Sequence, residues 1–282
     1  GAWECPDLVT IEIDSMPKSV LILSIDDGFA SGGSGVVYII GDFKNGAFYV
    51  DRKAMQNKSH IVLDKGPDFF APQSFYNCDK DANAIILGWL NNWKYAKKMP
   101  DKNLPMLQSI PRVIGLKRAK DDSILLTQTP VSALKQYVNK KLMSGNLQVS
   151  SLKSSFCKNL SGCFLLNILL AIEHKAAYHL NIDMDGECLL SISVSESMTE
   201  VCIERSRSEL FENMPEQFKS TFLPLNSDLD IKIIADHYSF EIFINQFTEV
   251  FSLRSHCHFD NLCLSHHISS KQEKSVFIEL EN

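Results

Sequence analysis

The sequence predicts an all-β chain in two parts joined by a short helical segment. Three observations carry this. Short apolar runs recur between clusters of Gly, Asp, Asn and Pro through the first half. One stretch, Val131–Val138, has helical spacing, with apolar residues at 131, 134 and 138. After about residue 150 the strands return, longer and more cleanly alternating.

The first part begins with strand signals at Thr10–Ile13, Val20–Ile25, Val36–Ile40 and Phe48–Val50, followed by Ala84–Leu87. The Ser31-Gly32-Gly33-Ser34-Gly35 stretch lies between two of these runs. It reads as a hairpin loop, because no helix follows it and no Lys-Ser/Thr closes a phosphate cradle. Phe164–Ile172 has the length of a buried strand, and Leu229–Ala235, Phe240–Ile244 and Val250–Leu253 alternate as the half-buried strands of a sandwich do. The predicted division is residues 1–125, a linker with a short helix over 126–148, and a β-sandwich over 149–282.

Composition is that of a globular protein long enough for one or two cores. A net charge of −6 over 282 residues disfavours a nucleic-acid partner. Lys117, Arg118 and Lys120 form the densest basic patch, and Asp121 and Asp122 break it. No run approaches the ~18–20 apolar residues of a membrane span, so no membrane partner is expected. The eight cysteines, at 5, 78, 157, 163, 188, 202, 257 and 263, form no C-x-x-C pair. Free, mostly buried thiols of a reducing, cytoplasmic compartment are the reading, with a disulfide such as Cys157–Cys163 as the alternative. His256-Cys257-His258 and His266-His267 cluster in sequence, but neighbours on a strand point to opposite faces, so no metal is predicted.

Three clusters could carry chemistry. In Trp3-Glu4-Cys5-Pro6-Asp7 the Glu4 carboxyl lies between an aromatic ring and a thiol. Such a setting can hold a proton and deliver it to a leaving group. Asp68-Phe69-Phe70-Ala71 combines rings for a sugar face with one acid for hydroxyls. Gly88-Trp89-Leu90-Asn91-Asn92-Trp93 puts two indoles and two amides at the end of a strand, a pattern suited to carbohydrate.

In this order the clusters resemble glycoside hydrolase family 32, the invertases, sucrose-6-phosphate hydrolases, levanases and inulinases. The matching pieces are W-E-C-P-D at 3–7, Y-I-I-G-D-F at 38–43, L-D-K-G-P-D-F-F-A-P-Q-S-F at 63–75, G-W-L-N-N-W-K-Y at 88–95 and S-I-P-R at 109–112. Leu125–Val131 is similar to the family's Q-x-P-V segment, and Asp236–Asn245 to its C-terminal sandwich.

The resemblance implies a five-bladed β-propeller followed by a β-sandwich, and a retaining reaction on β-D-fructofuranosides such as sucrose or a fructan. It implies that Glu4 is the acid/base and that Cys5, Asp68, Phe70 and Trp89 line the substrate pocket. No cofactor is implied, because proton transfer and carboxylate attack suffice. The family's tyrosine position in D-F-Y-A is Phe70 here. The family's nucleophile stretch N-D-P-N-G and its R-D-P stretch do not occur in this sequence. The expectation is therefore a partial propeller: the C-terminal part of such an enzyme, without its N-terminal blades. The alternative is a non-catalytic carbohydrate-binding or structural remnant.

Overall fold

The computed structural model describes residues 1–76, 84–98, 107–138, 140–149, 154–160, 163–184, 186–255, 262–270 and 274–281. Two compact units divide the chain, Gly1–Ser132 and Ala133–Asn282. The described strands pair antiparallel in four sheets, so the all-β prediction holds.

In the first unit, one sheet runs β1 (Trp3–Ile13), β2 (Met16–Ile25), β3 (Gly35–Lys44) and β4 (Ala47–Val50) in spatial order, with the short β5 (Ile61–Val62) against β3. A second sheet runs β6 (Phe70–Ser74), β7 (Ile85–Trp89), β8 (Arg112–Arg118) and β9 (Ile124–Pro130). Strands adjacent in sequence are adjacent in space, as the short connections require. The Ser31–Gly35 stretch closes the β2–β3 hairpin, as predicted. Val20, Ile22, Val36, Ile40, Met55 and Leu63 meet Phe69, Ile86, Ile114 and Leu126 in one apolar cluster drawn from both sheets. Each such side chain, fully buried, contributes about 1.5–3 kcal/mol.

In the second unit, one six-stranded sheet is ordered β10 (Lys141–Val149), β21 (Lys274–Glu281), β12 (Phe164–Ala171), β17 (Asp228–Asp236), β18 (Ser239–Ile244) and β19 (Glu249–Arg254). The other is ordered β11 (Ser154–Leu160), β20 (Leu262–Ile268), β13 (Tyr178–Met184), β14 (Glu187–Val194), β15 (Glu200–Arg205) and β16 (Gln217–Thr221). Leu166, Ile168, Ile231, Ile233 and Ile242 of the first sheet share one core with Leu180, Ile192, Val201 and Ile203 of the second.

The predicted helix at Val131–Val138 is instead a 3₁₀ helix over Ser132–Gln136, with no buried residue. Its apolar positions face no core, so nothing rewards a longer helix. The cysteine reading also changes. Cys5, Cys163 and Cys188 are exposed free thiols, and Cys202 is half-buried, because they sit on outward faces or at strand ends. Cys263 is disulfide-bonded, and Cys163, being free, is not bridged to Cys157. Cys78 and His256-Cys257-His258 lie outside the described residues. Among the described residues no helix is long and apolar enough to cross a membrane.

Candidate functional site

The first unit carries an open depression of about 340 Å³ lined by Glu4, Cys5, Phe70, Ala71, Trp89, Trp93 and Gln108. Two β-bulges shape it. On β1 the register slips by one residue between Glu4, opposite Ser24, and Asp7, opposite Ile22. On β6 it slips between Phe70, opposite Trp89, and Gln73, opposite Leu87. Each bulge holds a non-glycine residue in the left-handed region just before a proline, Cys5 at φ 47° before Pro6 and Ala71 at φ 48° before Pro72. Pro6 donates no ladder hydrogen bond and is tolerated because β1 is an edge strand. A bulge bends its strand and re-aims side chains, so these two bring Glu4 and Phe70 to one hollow. Left-handed backbone at such residues costs of order 1–3 kcal/mol each and persists only where the surroundings impose it.

The surroundings are polar cross-links between the two sheets. Asp7 Oδ2 accepts from the Ser74 backbone N–H at 2.7 Å, and Asp7 Oδ1 from the Ser74 hydroxyl at 3.1 Å. Gln73 donates to the Cys5 carbonyl at 3.3 Å, and the Ala71 N–H donates to the Ser24 hydroxyl at 3.0 Å. Asp7→Ala removes a charged acceptor from this seam. It is expected to cost about 1–3 kcal/mol and to alter the near-ultraviolet dichroism of the tryptophans. Ser74→Ala, which keeps the backbone bond, should cost less, and a urea titration of both variants checks the order.

One wall is aromatic. Phe70 meets Trp89 and Trp93 edge-on, each at 6.3 Å between centroids, and the two indoles lie 4.7 Å apart. Phe70 is buried, whereas Trp93 is 45% exposed. Gly88 permits this wall, since a Cβ there would stand 2.6 Å from the Phe69 ring. Glu4 is exposed, and Trp3 is 58% exposed, so Trp3 does not enclose the Glu4 carboxyl as its sequence position invited.

The depression therefore gathers Glu4, Cys5, Phe70 and Trp89 of the sequence-predicted residues, and Asp68 does not line it. Asp68 is fully buried and accepts a hydrogen bond from the Tyr95 hydroxyl. The side chains of Asn91 and Asn92 are buried too. Asn92 is engaged by the protein itself, donating to the carbonyls of Gly32, Ser34 and Pro67 at 2.9, 3.2 and 2.6 Å. Gln108 was missed by sequence reasoning. It reaches the hollow because its backbone bridges to Trp89, and its place beside S-I-P-R was the available signal.

Comparison with known proteins bears on this site. Residues 1–130 match the family model of the glycosyl hydrolases family 32 N-terminal domain. A levanase from Bacillus subtilis (strain 168) is 30% identical over 270 residues, covering 89% of this chain and 38% of the levanase. An extracellular exo-inulinase from Aspergillus awamori is 33% identical over 147 residues, covering 50% of this chain and 27% of the inulinase. The crystal structure of exo-inulinase from Aspergillus awamori superposes with a TM-score of 0.86 at 20% identity, covering 99% of this chain and 56% of that one. That of fructofuranosidase from Schwanniomyces occidentalis complexed with fructose gives 0.77 at 21%, covering 99% and 60%. The chain thus spans less than two thirds of the length of these relatives. The match at 1–130 corrects one expectation. The first unit matches the family's N-terminal domain, which overturns the expectation that the chain is C-terminal sequence alone.

Proposed function

We propose that this chain acts on β-D-fructofuranosides, sucrose or a fructan, with the fructosyl ring held in the depression and Glu4 as its proton donor. The observation that carries the reading is a carboxyl side chain set beside an open hollow walled by Phe70, Trp89 and Trp93. Indole faces stack on the C–H faces of sugars, and the Gln108 amide is suited to their hydroxyls. Relatives named levanase, exo-inulinase and fructofuranosidase support the substrate class. We read the two sequential meanders of the first unit as propeller blades and the two sheets of the second as a sandwich.

In the retaining course, Glu4 gives its proton to the glycosidic oxygen as that bond breaks, and attack on the anomeric carbon calls for a second carboxylate beyond the described residues that line the hollow. Glu4, now ionised, then takes the proton of the water that releases fructose. Asp68, buried behind the wall, supports the ring of Tyr95 rather than a hydroxyl of the substrate. Cys5 and Trp89 are contacts to the fructosyl unit.

A second reading has its own support. Among the described residues lining the hollow, Glu4 is the one carboxyl group, which favours a carbohydrate-binding unit without turnover. Fructose release from sucrose and levan, measured beside binding by tryptophan fluorescence, separates the two. The enzyme reading expects Glu4→Gln to lower turnover by about 10²–10⁴-fold while binding persists. Binding without turnover, indifferent to Glu4→Gln and lost in Trp89→Ala, sinks it in favour of the second reading. Neither binding nor turnover ends both.

A further inference from the structure

The second unit brings together three side chains of different ligand chemistry. Cys163 directly precedes β12, Asp236 ends β17, and His237 begins the two-residue turn into β18. Pairing of Phe164 with Ala235 sets Cys163 beside Asp236. The Cys163 Sγ lies 3.0 Å from Asp236 Oδ1, the His237 Nδ1 3.0 Å from the same oxygen, and sulfur and nitrogen are 3.9 Å apart. The His237 backbone N–H also donates to Asp236 Oδ1 at 2.7 Å and fixes that carboxylate. All three ligand atoms lie within 4.8 Å of one another, at the accessible end of a sheet.

We propose that Cys163, Asp236 and His237 form a three-ligand site for a borderline-soft divalent cation, of which zinc and cobalt are the representatives. A tetrahedral ion bonded at ~2.3 Å to sulfur and ~2.0–2.1 Å to nitrogen and oxygen holds its ligand atoms roughly 3.3–3.6 Å apart. Each observed separation meets that with a shift of no more than about 0.6 Å. Thiolate, imidazole and carboxylate together suit zinc rather than calcium or magnesium, which prefer oxygen alone. Solvent completes the fourth position.

The same three residue types could suggest a nucleophilic cysteine, and the geometry opposes it. The thiol donates to the Asp236 carboxylate at 3.0 Å, and the imidazole stands farther off, at 3.9 Å from sulfur. Burial, and then Asp236, push the Cys163 thiol up to about 12, the reverse of an activated nucleophile. A cation changes this balance without redox chemistry. The S–H bond breaks, its proton passes to buffer, and a metal–sulfur bond forms. The ion would tie the start of β12 to the β17–β18 turn. No spacing in the sequence announces the site, because its ligands come from positions 163 and 236–237.

The test uses the whole chain, freed of metal and kept under argon so that the free thiols stay reduced and the Cys263 disulfide stays intact. One equivalent of cobalt(II) should produce a sulfur-to-metal charge-transfer band in the near ultraviolet and tetrahedral d–d bands, and zinc should bleach both. Cys163→Ser should abolish the charge-transfer band. Asp236→Asn should weaken zinc binding at least about tenfold by calorimetry. Cys202→Ser, a control at a thiol remote from the cluster, should change neither. Far-ultraviolet dichroism confirms that each variant keeps its fold. The proposal is overturned if the wild-type chain gives no charge-transfer band, or if the band survives in Cys163→Ser.

Discussion

Arg112→Ala is expected to destabilise the first unit by about 3–5 kcal/mol, because it leaves a buried carboxylate without its cation. Arg112 opens β8, and its side chain and that of Asp64 are both fully buried. Its Nη1 donates to Asp64 Oδ2 at 2.9 Å and to Gln128 Oε1 at 2.9 Å. The guanidinium also lies 4.2 Å from the Phe69 ring centroid. Asp64 is held from its other side by the Gly66 N–H at 3.0 Å, and Gln128 donates to the Leu63 carbonyl at 2.6 Å. The pair thus joins the segment leading into β6 to both β8 and β9. Removing both charges is a different experiment from removing one. Arg112→Met with Asp64→Leu should recover most of the loss, since well-packed apolar residues often replace a buried pair at little cost. Urea unfolding measures both, with the midpoint moving while the slope stays fixed. A loss below about 1 kcal/mol in Arg112→Ala would falsify this account of the pair.

This arrangement also explains what was legible in the sequence. L-D-K-G-P-D-F-F-A-P-Q-S-F and S-I-P-R stood out as family pieces, and the sequence alone could not tell which of their residues meet a ligand. Asp64 and Arg112 bond each other across 48 positions, an internal lock that no local pattern reveals. Phe70 and Trp89 were legible because a bulky ring at a strand end has few roles, packing or a pocket wall, and here it serves both. Asp68 could not be separated from Glu4, since the difference between them is burial and comes from tertiary packing. Strands β2 and β3 were visible as short apolar runs between turn residues, and β17 and β18 by the alternation of apolar and polar side chains. The first half of β1 was not, because Trp3–Pro6 is exposed and pairs without burying an apolar stripe. The bulges at Cys5 and Ala71 were silent for a related reason. A register slip is a property of two strands together, and each proline hinted at only one side of it.

Asn92→Ala is expected to cost about 3–5 kcal/mol, since several buried groups lose their partner at once and each is worth about 1–3 kcal/mol. Besides its three carbonyl acceptors, Asn92 uses its Oδ1 to accept from the N–H of Ser34 at 3.3 Å and of Lys94 at 2.9 Å. One amide therefore fastens the β2–β3 loop to the segment carrying Trp93. The fit depends on Gly33, at φ 64°, where a Cβ would stand 2.2 Å from Asn92 Oδ1. The Trp93 N–H donates to the Ser34 hydroxyl at 3.1 Å, so loosening the loop also loosens the exposed indole of the aromatic wall. Two readouts should move together, the unfolding free energy and the emission of the tryptophans. Asn92→Asp sharpens the test. It is nearly isosteric and keeps the two acceptor contacts, but it sets a carboxylate against the carbonyls of Gly32, Ser34 and Pro67. If hydrogen-bond matching rather than shape holds the loop, Asn92→Asp destabilises at least as much as Asn92→Ala. A near-native Asn92→Asp would mean that packing alone fixes the loop, and that the wall formed by Trp93 does not depend on this amide.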